Sequence, residues 1–212
     1  MDSPPARAQN FKSFIDLDAT YKEGVDYGSA ISRRNPLQIA VVAPHGGAIE
    51  RPTSQIAADI ARDDFSCYLF ECTRKAKNYA ALHLTSEHFG ELRCPELIAG
   101  CDRVVAVYGC EGDEIAVILD RPDDELAVLV ADALASEEVV AKQSGYQFLG
   151  TKSSIIGKRG RSGARAQREL AAALRNSPAT IARVVRAVRG VFLRFVDPGN
   201  APRATGESQL HR

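Results

Sequence analysis

The chain has no excess of either charge. Its 27 Lys and Arg residues balance 27 Asp and Glu over 212 residues, for a formal net charge of +0. Attraction to a charged partner must therefore come from local clustering. No apolar run approaches the roughly 20 residues that cross a bilayer, so no membrane partner is expected. The opening Met1-Asp2-Ser3-Pro4-Pro5 has neither the cationic nor the apolar region of an export signal. The five cysteines, Cys67, Cys72, Cys94, Cys101 and Cys110, form no close CxxC pair. An odd number without a regular framework fits reduced thiols and a cytoplasmic location better than a disulfide scaffold. No internal repeat is present. What remains is a composition of 45% hydrophobic and 25% charged residues, ordinary for a soluble globular protein and long enough for one large core.

The most informative stretch is Val41-Val42-Ala43-Pro44-His45-Gly46-Gly47-Ala48-Ile49-Glu50. An apolar run, read as a buried strand, ends in a histidine, two glycines and a carboxylate. His45 and Glu50 are thereby placed at the carboxyl end of a strand and on the loop after it, the edge where open α/β sheets bind ligands. Imidazole and carboxylate held together suit Zn²⁺, which takes N and O ligands at about 2.0–2.2 Å. A histidine that merely hydrogen-bonds its own loop is the alternative.

Strands alternate with helices along the chain, which predicts an α/β layer structure. Strands are expected at Leu37–Ala43, Cys67–Phe70, Val104–Tyr108 and Ile115–Leu119, the third ending in a glycine turn over Gly109–Glu114. Helices are expected at Ser54–Asp63 with Thr53 or Ser54 as cap, at Glu125–Ala135 capped by Asp123 or Asp124, at Gln167–Arg175 and at Ile181–Arg194. Residues 1–35 read as an irregular or partly helical lead-in, 36–197 as the single α/β domain and 198–212 as a disordered tail.

Chemistry gathers at three further places. Asn78–Phe89 brings His83 and His88 and several hydroxyls onto an expected loop, with His83 either a site residue or a loop hydrogen-bonder and His88 a surface residue. Val104–Tyr108 delivers Tyr108 to a strand end much as the first strand delivers His45; alternation puts Val105 and Val107 on the face opposite Ala106 and Tyr108. The stretch Lys158-Arg159-Gly160-Arg161-Ser162-Gly163-Ala164-Arg165 is the one concentrated basic run. It suits phosphates of nucleic acid, carboxylates of an acidic substrate held by Arg forks, or plain solvation. Glu169, a lone acid after these cations, is expected to stay ionised as a base.

These motifs resemble the poly-γ-glutamate hydrolase family, which includes bacteriophage enzymes and phage-related bacterial proteins. Pro44–Glu50, Tyr68-Leu69-Phe70-Glu71, Leu82-His83-Leu84-Thr85-Ser86, the strand ending Tyr108-Gly109, and Gln167-Arg168-Glu169-Leu170 occur in the family's order. Tyr21–Tyr27 looks like its N-terminal region, and the likeness covers residues 10–195. The resemblance implies a single-domain, zinc-carboxypeptidase-like fold, a mixed β-sheet flanked by helices with one catalytic Zn²⁺. It implies His45 and Glu50 as zinc ligands, Glu169 as catalytic carboxylate, and Arg159 and His83 as substrate-binding residues for an acidic peptide or poly-γ-glutamate. The sequence departs from the family at Tyr108, which stands where the remaining ligand is usually a histidine. A phenol, with a reference pKa of about 10, must lose its proton to bind zinc well. Three outcomes stay open: Tyr108 coordinates; His83 or Cys110 takes its place; or the site is degenerate and the protein binds a polyanion. Nucleic-acid binding is the weakest alternative.

Overall fold

Ile39-Ala40-Val41-Val42-Ala43 contains no polar side chain, as suits a strand covered on both faces. It forms most of β2 (Ile39–Gly47), the strand on which the site is built. The structure is a computed structural model describing residues 11–34, 38–86, 88–110, 116–119, 125–143, 156 and 165–197, with 116–119, 143 and 165–173 described by their backbone. The expected basic run (apart from the backbone of Arg165), the caps Asp123 and Asp124 and the tail all lie outside the described residues.

Among the described residues one seven-stranded sheet has the order β1-β3-β2-β4-β7-β5-β6. The other strands are β1 (Tyr27–Ser32), β3 (Ser66–Cys72), β4 (Arg103–Cys110), β5 (Ala116–Leu119), β6 (Val140–Gln143) and β7 (Arg165–Ala171). The central four, β3, β2, β4 and β7, run parallel. β1 joins β3, and β5 joins β7, in antiparallel register, while β6 runs parallel to β5. The sheet is therefore mixed, as expected.

One face of the sheet carries Ile39, Val41, Ala43, Val105 and Val107. It is covered by α2 (Thr53–Ala61), α5 (Glu125–Ser136) and α7 (Pro178–Val196). Burial selects one side of each helix: Ile56, Ala57, Ile60 and Ala61 on α2, and Val184, Val188, Val191 and Phe192 on α7, repeat at helical spacing. The other face carries Ala40, Val42, Val104, Ala106 and Tyr108. Shorter helices cover it: α1 (Phe14–Asp18), α3 (Asn78–Leu82) and α4 (Arg93–Ala99). The alternation expected for Val105, Ala106, Val107 and Tyr108 is the one observed.

Several expectations are corrected. Gln167–Arg175 is not one helix: residues 165–171 form β7, and only Ala172–Arg175 is helical, as α6. Gln, Arg, Glu, Leu and Ala are strong helix formers, but pairing with β4 on one side and β5 on the other overrides that preference. The lead-in is partly helical, as expected, in α1, but it also supplies the edge strand β1. Asn78–Phe89 is not all loop, since it opens with α3. Gly109 does not end β4, which continues to Cys110.

Candidate metal centre

Pro44 explains why the site forms where it does. Proline has no N–H to donate and interrupts a central strand. The pairing of β2 with β3 shifts register between Ala43 and Gly46, and its pairing with β4 stops at Val42 opposite Ala106. β4 goes on beside β7 as far as Cys110, so β2 and β4 part beyond Val42. The Glu50 carboxylate spans the gap: the Gly109 amide donates to its Oε2 at 2.8 Å.

The turn from β2 into α2 is held tightly. Gly47 has φ +60°, and a Cβ there would stand 2.7 Å from the Cys72 amide nitrogen, which excludes other residues. The Glu50 amide donates to the His45 carbonyl at 3.0 Å, as does the Thr53 hydroxyl at 3.2 Å. Ser54 Oγ accepts from the Gly47 amide at 3.3 Å. Thr53 and Ser54 thus brace the site loop and do not cap α2, which starts after Pro52 without a side-chain cap.

His45 is buried, and its Nε2 lies 2.6 Å from the Leu84 carbonyl oxygen. A carbonyl only accepts, so Nε2 carries the hydrogen and the tautomer is set. Nδ1 then faces Glu50 Oε2 at 3.1 Å. A neutral imidazole lone pair against a carboxylate repels, so this approach calls for a cation, either a proton or a metal ion. His83 caps the end of α3 and its ring stacks on Tyr79, with centroids 4.2 Å apart and planes at 17°. Its Nε2 lies 3.8 Å from Glu50 Oε1, and its ring centroid lies 4.2 Å from that of His45. One ligand atom from each of His45, Glu50 and His83 lies within 4.8 Å of the others. Burial alone would raise the Glu50 pKa, but His45, the Gly109 amide and His83 outweigh it and hold the carboxyl below its usual range. The group is therefore ionised and able to bind a cation.

Tyr108 is buried with its ring edge-on to His45, centroids 5.1 Å apart. The β4–β7 register sets the backbone of Glu169 beside that of Tyr108. Cys110 is half-buried at the end of β4, and His88 is exposed, 3.2 Å from the Thr85 hydroxyl. Arg159 lies outside the described residues. Sequence reasoning singled out His45, Glu50, His83 and Tyr108 and the structure brings all four together. It missed the Leu84 carbonyl and the Gly109 amide, main-chain groups that no side-chain pattern announces.

A mixed, mainly parallel sheet with a largely buried N/O donor set at its carboxyl edge defines an α/β protein built around a candidate metal centre. The chain belongs to the poly-γ-glutamate hydrolase family, whose sequence profile matches residues 11–196. It is 27% identical over 154 residues to YndL of Bacillus subtilis, covering 72% of this chain and 60% of that one. It is 29% identical over 137 residues to the SPβ prophage-derived protein YoqZ of the same organism, covering 63% of this chain and 48% of that one. The matches therefore span only about half to three-fifths of these relatives' length. The fold is similar to that of a bacteriophage poly-γ-glutamate hydrolase, with TM-score 0.82 and 22% identity over 89% of this chain and 99% of that one. It is also similar to zinc-free YndL, with TM-score 0.74 and 22% identity over 92% and 100%.

Proposed function

We propose that the protein is a metal-dependent amide hydrolase acting on a glutamate polymer of the poly-γ-glutamate kind, with zinc as the metal. The observation that carries this reading is the convergence of His45, Glu50 and His83, two imidazoles and a carboxylate, the complement known from catalytic zinc sites that keep a fourth position open. On this reading His83 supplies the ligand that Tyr108 replaces, and Tyr108 packs against His45. The Leu84 carbonyl orients His45 and the Gly109 amide orients Glu50, as partners of metal ligands commonly do.

When bound, such an ion polarises the scissile carbonyl and lowers the pKa of water. Glu169, on the strand beside Tyr108, accepts a proton from the attacking water at its carboxylate and returns it to the leaving amide nitrogen. Arg159 holds a substrate carboxylate through its fork of donors. The polymer's repeated carboxylates match the basic run Lys158–Arg165 in sign.

The test is hydrolysis of poly-γ-glutamate by chelator-treated protein before and after zinc is restored. Chain shortening that returns with zinc, and falls about 10²–10⁴-fold in Glu169→Gln, is the expected result. No cleavage with zinc bound would favour the second reading, a polyanion-binding member of the family whose catalysis was lost with the histidine at position 108.

A further inference from the structure

Arg175, the last residue of α6, reaches back across the end of the sheet. One terminal nitrogen donates to the Arg51 carbonyl at 2.6 Å and the other to the Cys110 carbonyl at 3.1 Å. Each carbonyl sits one residue beyond a site group: Arg51 follows Glu50, and Cys110 follows Gly109, whose amide binds the Glu50 carboxylate. The guanidinium also lies against Gly109, where a Cβ would stand 2.7 Å from its central carbon. Only glycine lets the cation approach this closely.

We propose that Arg175 is a positioning residue for this site. It fastens the loop after β2 to the end of β4, at the level where the backbone pairing of those strands has already stopped. The Glu50 carboxylate is thereby kept on the Gly109 amide and facing His45. Arginine suits the task because its planar fork presents separate donors in fixed directions, whereas lysine offers one compact point of charge. The staple itself is independent of any metal; its consequence for metal binding rests on the centre proposed above.

Two measurements on Arg175→Gln and Arg175→Lys test the proposal, with Arg186→Gln as control. Arg186 pairs with Glu137 on the exposed side of α7, away from the site. In chelator-treated protein, Gly109 amide exchange should quicken about tenfold or more in both Arg175 variants, while Val104–Val107 stay protected. The zinc dissociation constant should rise about 10–100-fold, the range for partners that orient metal ligands, with Arg175→Lys nearer to Gln than to wild type. Gly109→Ala, which pushes the guanidinium away, should weaken zinc binding likewise. If the Arg175 variants match the Arg186→Gln control in exchange and in zinc affinity, whatever their melting temperatures, the proposal is overturned. If wild type binds no zinc, the metal reading fails, and Gly109 exchange alone decides the staple.

Discussion

The two faces of the sheet differ in kind. Beneath α2, α5 and α7 the core is almost wholly aliphatic, with Phe65 and Phe192 as its buried rings. Beneath α1, α3 and α4 aliphatic side chains share the core with a cluster of rings: Tyr27, Tyr68, Phe70 and Phe89 pack with Phe14 and give way to Tyr108, Tyr79 and the two site histidines towards the carboxyl edge. The aliphatic face is closed by long regular helices, of 12 and 19 residues in α5 and α7. The other is closed by helices of five to seven residues with loops between them. Long helices bury apolar area uniformly and leave little backbone exposed. Short ones bring helix ends, carbonyls and rings to one place. One face is scaffold and the other carries the candidate metal centre.

Separating the faces by mutation sharpens this contrast, and the largest effect belongs to the scaffold. Phe192→Ala should cost about 3–5 kcal/mol of stability by urea unfolding and leave zinc affinity unchanged. A comparable loss of zinc affinity would mean that the faces are not separable. A smaller stability effect marks the site face in acid. The Glu50 carboxyl is held below its ordinary value of 4.5. A lowered folded pKa contributes stability that is full above the ordinary value and is lost as pH falls through the folded one. Metal-free protein should therefore lose stability on acidification below about pH 4.5, and Glu50→Gln should flatten that slope. An unchanged slope would remove Glu50 as its source.

How far the sequence anticipated each region follows from side-chain chemistry. β2 was readable because an unbroken apolar run followed by Gly-Gly has few other homes. β7 was not, because residues 165–171 have helical propensities and become a strand only between β4 and β5. β1 escaped notice because Tyr27-Gly28-Ser29-Ala30-Ile31-Ser32 lies at the sheet's edge with only Tyr27 fully buried, which erases the alternation a half-buried strand displays. In the site, His45, Glu50 and His83 stood out by residue type. Arg175 did not, since a cation at the end of a presumed helix looks like solvated surface until the fold carries it to Gly109.

Two finer predictions probe each face singly. Tyr79→Leu removes the ring stacked on His83 and should weaken zinc binding several-fold, about 1 kcal/mol, with little change in global stability; an unaltered affinity would show that His83 needs no such support. Smallest of all is a difference between thiols. Burial pushes the Cys67 thiol up to about 12, whereas Cys110 is half-buried at the site's rim. Iodoacetamide at pH 8 should therefore modify Cys110 before Cys67, read by peptide mass spectrometry. The reverse order would contradict the packing described for the scaffold face.

The central claim is that His45, Glu50 and His83 together hold one metal ion. Zinc titration of chelator-treated protein against a chromophoric competitor tests it most directly, comparing wild type with His83→Ala and Tyr108→Phe. The account predicts one zinc per chain in wild type, retained in Tyr108→Phe and lost or weakened at least about 100-fold in His83→Ala. Wild-type affinity kept in His83→Ala and lost in Tyr108→Phe would contradict it and return the third position to the phenol.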